Sequence, residues 1–144
     1  MSTTPQRNKI VLGLVTIVTA LVVYFGARNV MTPEKPSFEQ EMVKIAEGIN
    51  KQCPMLIDET TRLDNVMALP GKTFQYNYTL LAIDAETADP ESMKNFITPR
   101  IINNIKTNPD LAPQRENKVI MSYLYKDKGG TALFKVMVTP EMYQ

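Results

Sequence analysis

Few residues of this chain are of a type and spacing that could do chemistry. A single cysteine, Cys53, lies in the stretch INKQCPMLIDETTRLDNV, and the chain has no histidine to act as its base. A cysteine nucleophile works as the thiolate, which needs a histidine, a helix N-terminus or a cationic neighbour. Pro54 makes the preceding helix end at or before Cys53, so the thiol falls at a helix C-terminus, where the dipole opposes its ionisation. The sequence therefore predicts a structural, inert Cys53, with an intermolecular disulfide as the alternative. One cysteine without histidine also leaves zinc or copper short of ligands. Asp58, Glu59 and Asp64 remain, as oxygen ligands for a hard cation or as carboxylates for hydrolysis. Their spacing is not that of a calcium loop, and a solvated start to a strand is the simpler reading. No Gly-rich phosphate loop, Ser-x-x-Lys or Gly-x-Ser-x-Gly element occurs. No catalytic residue, metal or cofactor is expected.

Charge narrows the partners. Sixteen Lys and Arg stand against 15 Asp and Glu, a net charge of +1, which offers no field to draw in nucleic acid. Tyr76, Tyr78, Tyr123 and Tyr125 could stack bases, but no basic stripe accompanies them, and they read as core.

The elements that must position any site begin with a membrane segment. Ile10 to Ala27 is an uncharged apolar run of about eighteen residues, just long enough as a helix to cross a hydrocarbon core of about 30 Å. Its exit, VVYFGARN, puts Phe25 and Ala27 where a signal-peptidase site needs small-x-small, so an uncleaved anchor is expected over a signal peptide. Arg7 and Lys9 in front favour a cytoplasmic N-terminus. The expected organisation is a cytoplasmic tail over 1–9, a transmembrane helix over 10–27, a linker over 28–36 and a soluble α+β domain over 37–144. In a bacterium this places the chain in the inner membrane with its C-terminal domain in the periplasm.

Within the domain, Ser37 with Gln40 forms a capping-box pattern, and Phe38, Met42, Ile45, Ala46 and Ile49 recur at helical spacing. Two apolar-alternating runs around Pro70-Gly71 predict a hairpin. Pairing Leu69 with Lys72 sets Met67 opposite Phe74, Leu63 opposite Tyr78 and Thr61 opposite Leu80. Asp89-Pro90 opens a second helix with a stripe of Met93, Phe96, Ile97, Ile101 and Ile105, which Pro99 should kink or break. A short turn over DLAPQREN precedes a second hairpin, KVIMSYLY and TALFKVMV, with Tyr123 opposite Phe134 and Tyr125 opposite Ala132. The order α-β-β-α-β-β implies a four-stranded, mostly antiparallel sheet with helices on one face.

The second hairpin is apolar on both sides. One side continues the core. The other holds Ile120, Leu124, Leu133 and Met137, interrupted by Ser122 and Lys135. Either the first helix covers these four, or they form the surface for a protein partner or a second copy.

The run INKQCPMLIDETTRLDNV, with YNYTL and IINNIKTNPDL after it, resembles a group of short bacterial membrane-anchored proteins to which no activity attaches. That resemblance implies an envelope setting and no functional residues. One membrane helix followed by a small α+β domain is also similar in outline to accessory subunits of secretion and envelope machines. The function expected is a single-pass, non-catalytic interaction or accessory subunit, held in the bilayer by residues 10–27. A small hydrolase built on the acidic cluster, or an envelope inhibitor or immunity protein, are the alternatives.

Overall fold

Local sequence accounts for most element boundaries in the computed structural model, which describes residues 35–144. The proposed membrane segment over 10–27 lies outside the described residues. Among those described, no helix is long and apolar enough to cross a membrane.

Helix α1 (Phe38–Asn50) opens as expected: the Ser37 hydroxyl accepts from the Gln40 N–H at 3.3 Å, and the Gln40 side chain accepts from the Ser37 N–H at 3.0 Å. Met42 and Ala46 are its buried residues, with Phe38 and Ile49 at the margin of the core. Ile45, expected on the same stripe, is 41% exposed. The helix buries the i, i+4, i+7 line through Met42, Ala46 and Ile49, and Ile45 sits on its flank.

The sheet differs from the expected one. It has five strands, not four, in the order β1-β2-β3-β4-β5, and it is mixed: three of its strand pairs are antiparallel, as expected, and one is parallel. The strands are β1 (Met55–Leu56), β2 (Thr61–Leu69), β3 (Thr73–Leu80), β4 (Ile120–Lys126) and β5 (Ala132–Val138). Strand β1 adds only Met55 opposite Leu63 and Leu56 opposite Arg62. Strands β3 and β4 pair in parallel, from Thr73 beside Ile120 to Thr79 beside Lys126. The cause is the crossover: α2 (Pro90–Thr107) carries the chain back to the end where β3 began, so β4 starts beside Thr73.

Both hairpins form, with corrected registers. In the first, Thr61, Leu63 and their partners Leu80 and Tyr78 pair as expected, but an irregularity after Leu63 shifts the rest. Val66 then faces Tyr76 and is buried, while Met67, assigned to the core by the simple register, faces Gln75 and is exposed. The turn spans Pro70, Gly71 and Lys72, with Gly71 at φ 75° and Lys72 at φ 52°, so the bulge absorbs the extra turn residue. In the second hairpin Tyr123 faces Val136 and Tyr125 faces Phe134. This is two residues from the expected pairing, and a shift of two keeps Phe134, Val136 and Val138 on the core face; Ala132, expected opposite Tyr125, pairs instead with Lys126 across an irregularity. The Asp127 carboxylate holds the turn, accepting from Gly129 N–H at 2.9 Å and Thr131 N–H at 2.7 Å, and ties it to Ala85 N–H at 3.1 Å.

Asp89 caps α2 by accepting from Ser92 N–H at 3.1 Å. The helix runs through Pro99 without a break. Ile101 and Ile105 are its buried residues. A 3-10 turn (Pro109–Leu111), α3 (Ala112–Glu116) and α4 (Pro140–Tyr143) complete the order. Tyr143 is buried and donates to the Val119 carbonyl at 2.7 Å. Helices α1, α2 and α4 contribute to one core on one face of the sheet, built on Leu63, Val66, Phe74, Met121, Val136 and Val138. Across the parallel seam Tyr76 stacks on Tyr123 at 5.1 Å and Tyr78 on Tyr125 at 5.2 Å. Edge strands and hairpins alone would leave these rings half covered; stacking across strands is what makes them core.

Candidate functional site

Where the first turns of α2 pass the end of the sheet, an apolar groove opens. Leu80 closes β3, Tyr125 lies near the end of β4 and Phe134 near the start of β5. With Ser92, Met93, Phe96 and Ile97 of α2 they line a cavity of about 410 Å³. Tyr125 and Phe134 stack at 4.9 Å to form its floor. The Ser92 hydroxyl is already bound to Asp89 at 2.7 Å. Burial raises the Tyr125 hydroxyl to about 12, so it stays neutral at physiological pH. Phe96 is 63% exposed on the rim, with the Arg100 guanidinium 3.6 Å from its ring centre. The groove presents no carboxylate, amine or thiol. It can bind apolar groups by burying them, and the polar side-chain groups of its lining are the Ser92 and Tyr125 hydroxyls.

The four residues singled out from the sequence lie elsewhere. Alternation along β4 and β5 puts Ile120, Leu124 and Met137 on the sheet face opposite α1 and α2. Leu133 falls at the irregularity between Ala132 and Phe134, where alternation does not assign a face. The first helix does not cover them, since Met42 and Ala46 join the core on the other side. Met137 is 50% exposed, and Ile120, Leu124 and Leu133 are half-buried. The face is not uniformly apolar. Ser122 reaches Gln75 at 3.4 Å, Gln75 donates to Asn77 at 2.9 Å, and Asn77 donates to Asn65 at 2.6 Å. Asp64 accepts from Arg62 at 2.7 Å and from Thr79 at 2.6 Å. A polar belt thus crosses β2, β3 and β4, and the apolar residues flank it.

The residues with chemical potential are not assembled. Cys53 is half-buried against the core, and its thiol is pushed up by burial first and by the charge of Asp64 second. That direction disfavours the thiolate. Asp58 is exposed and bound to Thr60, whose backbone N–H at 2.8 Å holds the carboxyl below its ordinary range. Asp64 is committed to Arg62 and Thr79 in the sheet. Among the described residues no group of three His, Cys, Asp or Glu side chains could hold a metal ion. The groove at Phe96 was missed by sequence reasoning. Its one signal, an apolar stripe on α2 reaching back to Met93, is the same signal a fully covered helix gives.

The described residues form a small α+β domain with a mixed five-stranded sheet and an apolar groove at one end of it. The chain is a member of the family described as Domain of unknown function (DUF8479), whose pattern matches residues 37–134. No curated protein matches its sequence significantly. Three solved structures share the fold. One is a candidate secreted protein of Pseudomonas aeruginosa, with 15% identity and a TM-score of 0.58 over 76% of this chain and 100% of that one. The second is the pilotin EpsS of the Vibrio vulnificus type 2 secretion system, with 12% identity and a TM-score of 0.58 over 74% and 91%. The third is the type II secretion system pilotin AspS of Vibrio cholerae, with 15% identity and a TM-score of 0.55 over 72% and 90%. At these identities the likeness is one of fold.

Proposed function

We propose that this chain is a non-catalytic accessory subunit of a bacterial envelope assembly that works by binding another protein. In this reading residues 10–27 anchor it in the inner membrane and the domain over 37–144 lies in the periplasm. The observation that carries the reading is the groove: a 410 Å³ apolar cleft with a half-uncovered aromatic rim and no carboxylate, amine or thiol in its lining. A water-exposed phenylalanine contributes little to folding, but it contributes strongly to affinity when a partner covers it. The fold shared with two type II secretion system pilotins supports a partner within a protein-secretion machine. The hydrolase alternative finds no support in the separation of Asp58 from Asp64 by their different bonds.

The test is to cross-link the full chain in native membranes, extract it in detergent and identify what travels with it. Phe96→Ala should lose the captured protein while the melting temperature stays within a few degrees, about the effect of a lost surface cation–π contact. Undiminished capture by Phe96→Ala would refute the groove as the binding site. A reporter fused to the C-terminus and active only in the cytoplasm would refute the periplasmic placement.

A further inference from the structure

The two edges of the sheet are handled differently. On the β2 side, β1 covers the strand's first residues, and beyond it the Asn50 carboxamide takes the place of a strand. It accepts from Val66 N–H at 2.8 Å and donates to Val66 C=O at 2.8 Å. On the β5 side no strand or side chain among the described residues takes that place. Ile120 N–H donates to Lys72 C=O at 2.9 Å, so the even-numbered residues of β4 bond toward β3. Alternation then turns Met121, Tyr123 and Tyr125 toward β5, and their partners Val138, Val136 and Phe134 are the inward-bonded residues of that strand. Lys135 and Met137 must aim their N–H and C=O groups outward. Strand β5 is last in the sheet order, and among the described residues no backbone hydrogen bond from outside the strand ladders reaches either of them. Both side chains are exposed, and the strand holds no proline.

We infer that the outer edge of β5 accepts a strand from a different protein, an extended segment in which apolar and acidic residues alternate. This rests on the reading that the domain binds a protein, and it adds a second surface next to the groove. Charge selects the occupant. Lys135 stands near the middle of β5, makes no ion pair among the described residues, and shares its face with Lys126 of β4. A second copy paired antiparallel about the middle of β5 would set Lys135 against its own counterpart, an unfavourable cross-strand pair and a recognised guard against self-association. A foreign strand with an acidic residue opposite Lys135 turns that guard into a selection. Its alternate side chains fall on the helix side, beside Phe134, which also lines the groove; there they must be apolar.

The experiment is hydrogen exchange on the full chain in detergent, with synthetic seven-residue peptides of alternating Val and Glu or alternating Val and Lys as probes. Without peptide, the Lys135 and Met137 amides should exchange rapidly and the Val136 and Val66 amides slowly. The Val/Glu peptide should slow Lys135 and Met137 by at least about tenfold, and the Val/Lys peptide should not. Lys135→Glu should reverse that preference. Met137→Pro should abolish protection by removing an outward donor without touching the ladder. Slow exchange at Lys135 and Met137 in the free chain would overturn the inference, as would equal response to both peptides. Protein capture through the groove that persists while both peptides fail would also overturn this edge, leaving the groove reading in place.

Discussion

Replacing Asn50 by Ala removes both partners of a buried backbone residue at once. Val66 is 1% exposed, and its N–H and C=O each bond the Asn50 side chain at 2.8 Å. Each such bond contributes about 1 kcal/mol net, and more where the orphaned group stays dry. Two bonds give about 2–3 kcal/mol. Asn50 ends α1, where Ala is the better helix former by about 0.5 kcal/mol, so the net loss is about 2 kcal/mol. For a domain of this size that is a fall of about 10 °C in melting temperature. Urea denaturation followed by circular dichroism measures it, and the m-value should not change. Asn50→Asp separates the two bonds: it keeps the acceptor but sets a carboxylate against the Val66 carbonyl. That variant should recover stability as the pH falls and the acid gains a proton to donate. A loss below about 0.5 kcal/mol for Asn50→Ala would mean that water replaces the amide freely, and that the β2 edge is not sealed by this side chain.

Two further outcomes follow from the tyrosine layer and the two faces of β4. Burial raises Tyr76 and Tyr125 to about 12 from an ordinary 10. Below pH 10 both are protonated whether folded or not, and their stabilising contribution is complete. Between pH 10 and 12 the unfolded chain loses these protons first, so stability should drop by up to about 1.4 kcal/mol per pH unit for each. Urea midpoints that stay flat while tyrosinate absorbance appears at pH 10 would contradict this. Tyr123→Asp should unfold the domain, since an unpaired charge in the core costs several kcal/mol, whereas Leu124→Asp on the opposite face should leave it folded. Comparable unfolding by both, seen by circular dichroism, would show that the Leu124 face is packed.

What could be read in advance depended on whether a signal was periodic or positional. The Ser37–Gln40 cap and the Asp89-Pro90 start are side-chain devices acting within one turn, so they were legible. In the second hairpin the faces from Phe134 to Val138 are legible but their partners are not, because alternation is blind to a shift of two, and the irregularity that moves Ala132 to the other face leaves no pattern. The first hairpin failed at Asp64: Val66 and Met67 are both apolar, so the pattern accepted either as core, and only the positive φ angles at Gly71 and Lys72 select the bulged register. Strand β1 is too short to carry a pattern. The parallel seam is a choice of which strands become neighbours, and element order leaves that choice open. Phe96 obeys the helical stripe, but the stripe does not say where the sheet beneath it stops. That limit is where the groove lies. As for the second sheet face, Ile120, Leu124 and Met137 were read as a set, and the polar belt through Asn77 and Ser122 that divides it came from single polar residues in apolar runs.

The parallel seam between β3 and β4 also bears on how the chain is made. Each hairpin can close on its own within microseconds, but the seam joins residues separated by the whole of α2. A chain delivered N-terminus first displays α1 and the first hairpin well before β4 has emerged. During that interval Tyr76 and Tyr78 lack the rings of Tyr123 and Tyr125 that will stack on them. Strand β3, destined for the centre of the sheet, is then an uncovered aromatic edge of the kind that pairs with strangers. Productive folding is therefore a race between arrival of the second hairpin and capture of the first.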